Sequence, residues 1–138
     1  VPSFLISASR EPGGANLDRV QVVKGWRDKK GGLHEKVYDV AWSDNREADI
    51  YGRLPPTGST VNLNDASYLN SIGSPSFSVT WIDTDFERDE AAFYYVRVLQ
   101  IPTPRWTTYD AVLYGLSEFP SPEVIQERAY TSPIWYTP

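Results

Sequence analysis

Apolar residues recur at every second position over several short stretches, the period of a strand that buries one face and wets the other. The clearest runs from Ser76 to Ile82, with Phe77, Val79 and Trp81 on one side and Ser78 and Thr80 on the other. Phe93 to Ile101 predicts the longest strand, with Tyr94, Val96 and Val98 facing one way. Val20 and Val22 alternate with Gln21 in a strand reaching about Lys24, and Val37 to Trp42 sets Tyr38, Val40 and Trp42 on a common face. Asp28-Lys29-Lys30-Gly31-Gly32 lies between those two, a polar turn whose glycines supply positive φ, so the pair reads as a β-hairpin. Phe4 to Ala8 is a short apolar run ended by a Pro-Gly-Gly loop. Arg128 to Tyr136 is a last strand broken by Pro133, which belongs at a sheet edge.

Two segments depart from this pattern. Ser43 to Pro75 is rich in Gly, Pro, Asn, Asp and Ser, and offers at most short strands at Val61–Leu63 and Tyr68–Ile72. After Pro102-Thr103-Pro104, Tyr109, Val112, Leu113 and Leu116 fall at i, i+3, i+4 and i+7. This predicts a short helix near 107–116, with Thr107 as its cap and Gly115 near its end. Seven or eight short strands and one helix argue for an all-β, two-sheet β-sandwich, immunoglobulin- or fibronectin-like, forming a single domain over 1–138. Asp89 to Val98 strengthens this: in such sandwiches an acidic turn leads to a tyrosine, here Tyr94, whose hydroxyl bonds back to the preceding corner.

Composition narrows the function classes. The chain has 138 residues, no cysteine, one histidine and a net charge of −5. Disulfides, thiolate nucleophiles and Cys-based metal sites are therefore ruled out. Nucleic-acid binding lacks its usual basic stripe, since Arg27, Lys29 and Lys30 surround Asp28 in a hairpin turn. No apolar run approaches the roughly 20 residues of a membrane-spanning helix. The chain has no methionine, even at Val1, and is read as the trimmed end of a longer protein.

Candidate chemistry is sparse. Asp83, Asp85, Glu87 and Asp89 recur at every second position, and Asp83 and Asp85 are the candidate metal ligands. An EF-hand loop would need Gly and Glu where Arg88 and Tyr94 stand, so a solvated turn is the expected role. A serine triad would depend on His34, beside the hairpin glycines, and there is no G-x-S-x-G elbow. Nucleotide-cradling motifs are missing too. No catalytic residue and no cofactor are assigned. Among the five tryptophans, Trp42 and Trp81 are expected in the core. Trp106 lies in a long connection, and with Arg105 and Tyr109 it is the expected contact for a partner or ligand.

Several stretches resemble a known family: V-P-S-F-L at the start, Asn16 to Trp26, Glu35 to Trp42, Ala92 to Trp106 (A-F-Y-Y-V-R-V-L-Q-I-P-T-P-R-W) and Gln126 to Pro138 (Q-E-R-A-Y-T-S-P-I-W-Y-T-P). They resemble the C-terminal region of a large bacterial family of unknown function. The upstream part of that family is similar to PHP-type metal-dependent phosphoesterases, and many members look exported. The resemblance implies a non-catalytic accessory domain of a metal-dependent hydrolase, exported or periplasmic, with the N-terminal catalytic domain of the same chain as partner. The family pattern Asp-Pro-Asp-Phe-Asp-Pro is replaced here by Asp83-Thr84-Asp85-Phe86-Glu87-Arg88, which weakens any shared role for that turn. The alternative expectation is a carbohydrate or envelope-ligand module that uses exposed aromatic rings.

Overall fold

A computed structural model describes residues 1–138. Three long strands form the central layer: β2 (Leu17–Arg27), β3 (Leu33–Trp42) and β5 (Ala91–Gln100). β3 pairs with β2 and β2 with β5, all antiparallel, while the far edge of β5 is covered by β8 (Arg128–Tyr130) and then β9 (Ile134–Tyr136). Pro133 splits that edge in two, as a proline without an N–H must. β1 (Ser3–Ser9) and β4 (Ser76–Ile82) pair antiparallel as a separate two-stranded sheet. A small ribbon of β6 (Thr103–Pro104) and β7 (Val124–Ile125) carries the one helix, α1 (Trp106–Tyr114). No helix is long and apolar enough to cross a membrane.

The fold is an all-β sandwich whose layers are unequal in width. Ile6 of β1, Val20 and Val22 of β2, and Ala92 and Tyr94 of β5 form the buried centre. Phe4, Ala8, Phe77, Val79, Trp81, Val96 and Val98 pack around it, so the period-2 faces of β4 and β5 are those expected from the sequence, and the apolar run of β1 turns Phe4, Ile6 and Ala8 inward. The hairpin turn also forms as expected: the Asp28 carboxylate accepts from the N–H groups of Lys30 and Gly32, and Gly31 takes φ +88°.

Trp42 departs from its expected place. Gln21 pairs with Asp39, but Val20 pairs with Ala41, leaving Val40 as an extra residue. Such a bulge reverses the alternation beyond it. Trp42 therefore lands opposite Arg19 on the outer face, exposed, with its indole N–H on the Arg46 carbonyl.

Neither strand suggested within Ser43–Pro75 forms; only an isolated bridge joins Asn62 to Ser67. Asx-type bonds organise this excursion locally: the Asn62 side chain accepts from Asn64 N–H, and that of Asp65 from Ser67 N–H. Both ends are tied to the start of β2. Ser43 N–H donates to the Asp18 carbonyl, and Leu17 and Ser74 exchange backbone bonds of 2.8 and 2.9 Å. The Arg46 guanidinium reaches the buried Asp18 carboxylate and also bonds the carbonyls of Asp18, Ser43 and Pro55.

Candidate docking surface

Pro102 to Tyr109, expected to be a long connection, is instead the β6 strand running directly into α1. Arg105, not Thr107, occupies the cap position, with extended backbone (φ −68°, ψ 155°) and no side-chain cap. The Thr107 hydroxyl is buried without a hydrogen-bond partner. Gly115 ends the helix in the left-handed conformation (φ 62°), as its place in the sequence suggested.

The helix sits on the ribbon through its small residues. Thr108 and Ala111 are its buried positions, and the Thr108 hydroxyl donates to the Glu123 carbonyl at 2.7 Å. Arg105 N–H bonds that same carbonyl at 2.9 Å. The large apolar side chains are turned away. Trp106 is 65% exposed, Tyr109 44%, Leu113 74% and Tyr114 72%, while Leu116 lies just beyond them and is exposed too. An amphipathic helix ordinarily turns such a stripe toward the core. Here it faces outward, leaving a row of exposed large apolar side chains along the helix.

Arg105, Trp106 and Tyr109 come together as the sequence suggested. The Arg105 guanidinium lies 5.9 Å from the centre of the Trp106 ring, within cation–π range. Trp106 and Tyr109 line a cleft of about 220 Å³ with Tyr68, Pro104, Gln100 and Glu127. Partial burial pushes the Tyr109 hydroxyl pKa up, with Tyr68 adding to it. Leu113 belongs to the helical stripe read from the sequence, but a stripe does not say which way it points; Tyr114 lies outside it and had no signal.

Asp83 and Asp85 do not face a common open position. Asp83 is fully buried; its carboxylate pairs with the Lys24 ammonium at 2.6 Å and accepts from the Tyr94 hydroxyl at 2.7 Å and Asp85 N–H at 3.0 Å. Lys24 itself is 3% exposed, on the inner face between Val22 and Trp26. Burial, then the bond to Asp83, pushes the Tyr94 hydroxyl pKa well up. Tyr94 is thus the corner tyrosine that the strand pattern predicts. Asp85 accepts from Lys36 and from Tyr38, and these bonds hold its carboxyl below the usual carboxylate range. Both candidate ligands are spent on lysines and tyrosines, and no group of three or more His, Asp or Glu side chains gathers as a metal cradle. His34 stacks on Trp26 and bonds Asp28 at 2.7 Å, away from any serine partner.

Of the remaining aromatics, Trp81 packs on the core as expected, while Trp135 is 70% exposed on the outer face of the central layer. Phe93 lies between Trp135 and Tyr95, and its ring covers Gly25: a Cβ there would come within 2.4 Å of the ring.

A family model described as a protein of unknown function (DUF3604) matches residues 1–138. No curated protein and no solved structure matches the chain.

Proposed function

The chain belongs to the DUF3604 family of unknown function, and on that premise we propose that it is a non-catalytic accessory domain. In this reading its α1 face packs against the catalytic region of a longer parent protein, a metal-dependent hydrolase of the PHP type. The observation that carries it is the inverted helix: Thr108 and Ala111 face inward while Trp106, Tyr109 and Leu113 face out. Fully burying a large apolar side chain is worth roughly 1.5–3 kcal/mol, and only part of that is realised at Trp106 and Leu113, so a covering surface has energy to gain here. The acidic residues closest to the core, Asp18 and Asp83, serve as struts between elements.

The geometry favours docking over a carbohydrate platform. In the outer row of rings Phe93 and Tyr95 are nearly coplanar but Trp135 is tilted from Phe93 by 46°, and nearby Arg97, Gln21 and Asp39 are bonded to one another instead of being held toward a ligand. The test is Trp106→Ala. In the parent protein it should reduce phosphoesterase activity or lower the unfolding temperature, whereas the 138-residue chain alone should unfold at nearly its original temperature. An unchanged parent refutes the docking role of α1.

A further inference from the structure

The two-stranded layer has an unguarded edge. β1 pairs with β4 and with nothing else. Asp83 N–H donates to the Pro2 carbonyl and Arg10 N–H to the Pro75 carbonyl, which fixes the phase of the ladder. Its bonds run through Phe4, Ile6 and Ala8, so the N–H and C=O groups of Ser3, Leu5, Ser7 and Ser9 point the other way. Natural edges are blunted by charge, proline or cover. Ser-Phe-Leu-Ile-Ser-Ala-Ser has neither charge nor proline. The other open edges are treated differently: β3 carries His34, Glu35, Lys36 and Asp39, and β4 lies against β3, where Tyr38 packs on Trp81 at 4.9 Å.

Beside the β1 edge the wider layer continues without a cover. A groove of about 440 Å³ runs between Ser7–Ser9 on one side and Arg128–Ala129 on the other, with Val98 and Gln100 among its lining. One more strand would lie about 4.8 Å beyond β1 and about 10 Å above the wider layer, over the residues that line this groove. We infer that β1 is a strand acceptor, and that an extended segment of the parent's catalytic region pairs with it and fills this groove. This rests on the proposed docking of that region on α1. Glu11, Gln100 and Glu127 line both this groove and the cleft beneath Trp106, so the two surfaces are continuous.

The geometry also sets what the segment looks like. A second copy joined edge to edge through β1 fits less well: the two-fold axis between antiparallel edge strands stands normal to the sheet. Both wide layers would then lie on the same side and crowd each other beside β5 and β8, the strands that already border the groove. A bare strand brings nothing beneath it. Its inward residues, at every second position, meet Ala8, Val98 and Ala129 and are small and apolar. Its outward residues continue the row of Ser3, Leu5, Ser7 and Ser9, polar except beside the exposed Leu5.

Amide hydrogen exchange on the parent and on the 138-residue chain tests this. The Leu5, Ser7 and Ser9 amides should exchange freely in the chain alone and about a hundredfold more slowly in the parent. Ser7→Pro removes one outward N–H without touching the β4 ladder. In the parent it should return Leu5 and Ser9 to fast exchange while the Phe4, Ile6 and Ala8 amides stay protected. Fast exchange at Leu5, Ser7 and Ser9 in the unmodified parent overturns the inference. So does protection that grows with the concentration of the chain alone, because that is self-association. If Trp106→Ala disturbs the parent while the β1 edge stays open, strand pairing fails and docking through α1 survives. Closure of the edge in a parent insensitive to Trp106→Ala upholds strand pairing and removes α1 from the interface.

Discussion

Replacing Asp83 by Asn leaves the Lys24 ammonium inside the sandwich without the carboxylate it touches, with the Asp85 carboxylate acting on it only from further off. Its remaining partners are the Asp85 carbonyl at 2.8 Å and the Trp26 and Tyr94 ring faces at 5.2 and 5.9 Å. Breaking a buried pair from one side costs about 3–5 kcal/mol, because the other charge stays desolvated. That is at least a fifth of the roughly 5–15 kcal/mol that holds a typical domain folded. At this chain length each kcal/mol moves the midpoint by about 3 °C, so the melting temperature should fall by about 10–15 °C. Lys24→Met in the same background removes the stranded charge and should restore most of the loss, leaving mainly the altered bond to Tyr94. Urea unfolding followed by circular dichroism on the wild type, both single variants and the double variant gives the coupling energy directly. Asp83→Asn costing under about 1 kcal/mol, or single effects that simply add, would refute the view of this pair as one desolvated unit.

Two other sites make separate predictions. Asp85 has a folded pKa below its ordinary 3.8, owing first to the Lys36 hydrogen bond and then to Tyr38. Its contribution is therefore present above that value and lost as pH falls through the folded pKa. Wild type should be more stable than Asp85→Asn at pH 7, and the two unfolding curves should converge on acidification below about pH 4; a gap that persists at acid pH would contradict this. Gly25→Ala places a methyl against the Phe93 ring and should cost about 1–3 kcal/mol by forcing it off its seat. The displaced ring should also change Trp135 fluorescence, and a neutral substitution would mean that Phe93 does not rest on that glycine.

What could be read from the sequence was local. The Asp28–Gly32 turn, the faces of β4 and β5 and the glycine stop of α1 each depend on neighbours within a few positions, and the Tyr94 hydroxyl reaches back only across one turn, to Asp83. What escaped depended on partners far along the chain or on a single inserted residue. One extra residue at Val40 carries Trp42 to the opposite face, and no composition or period announces it. The helical stripe was visible, but its direction follows from Thr108 and Ala111 fitting against a ribbon of two-residue strands, too short to show any period. Asp83 and Asp85 read as a row of acids. Only the folding of β2 and β3 beneath them brings Lys24 and Lys36 into reach.

The excursion from Ser43 to Ser74 leaves and rejoins the central layer at adjacent residues, Asp18 and Leu17. To the sheet it is a closed appendix: whatever lies between the two attachment points adds no strand to the layer. Insertions, deletions and rewriting among relatives should therefore be tolerated without shifting the framework where they spare Arg46, which reaches the Asp18 carboxylate, Asn70, which ties Gly14 and Asn16, and Tyr68 in the cleft beside Trp106. The excursion is where this architecture can diversify most freely, and alignment gaps across the family should concentrate there.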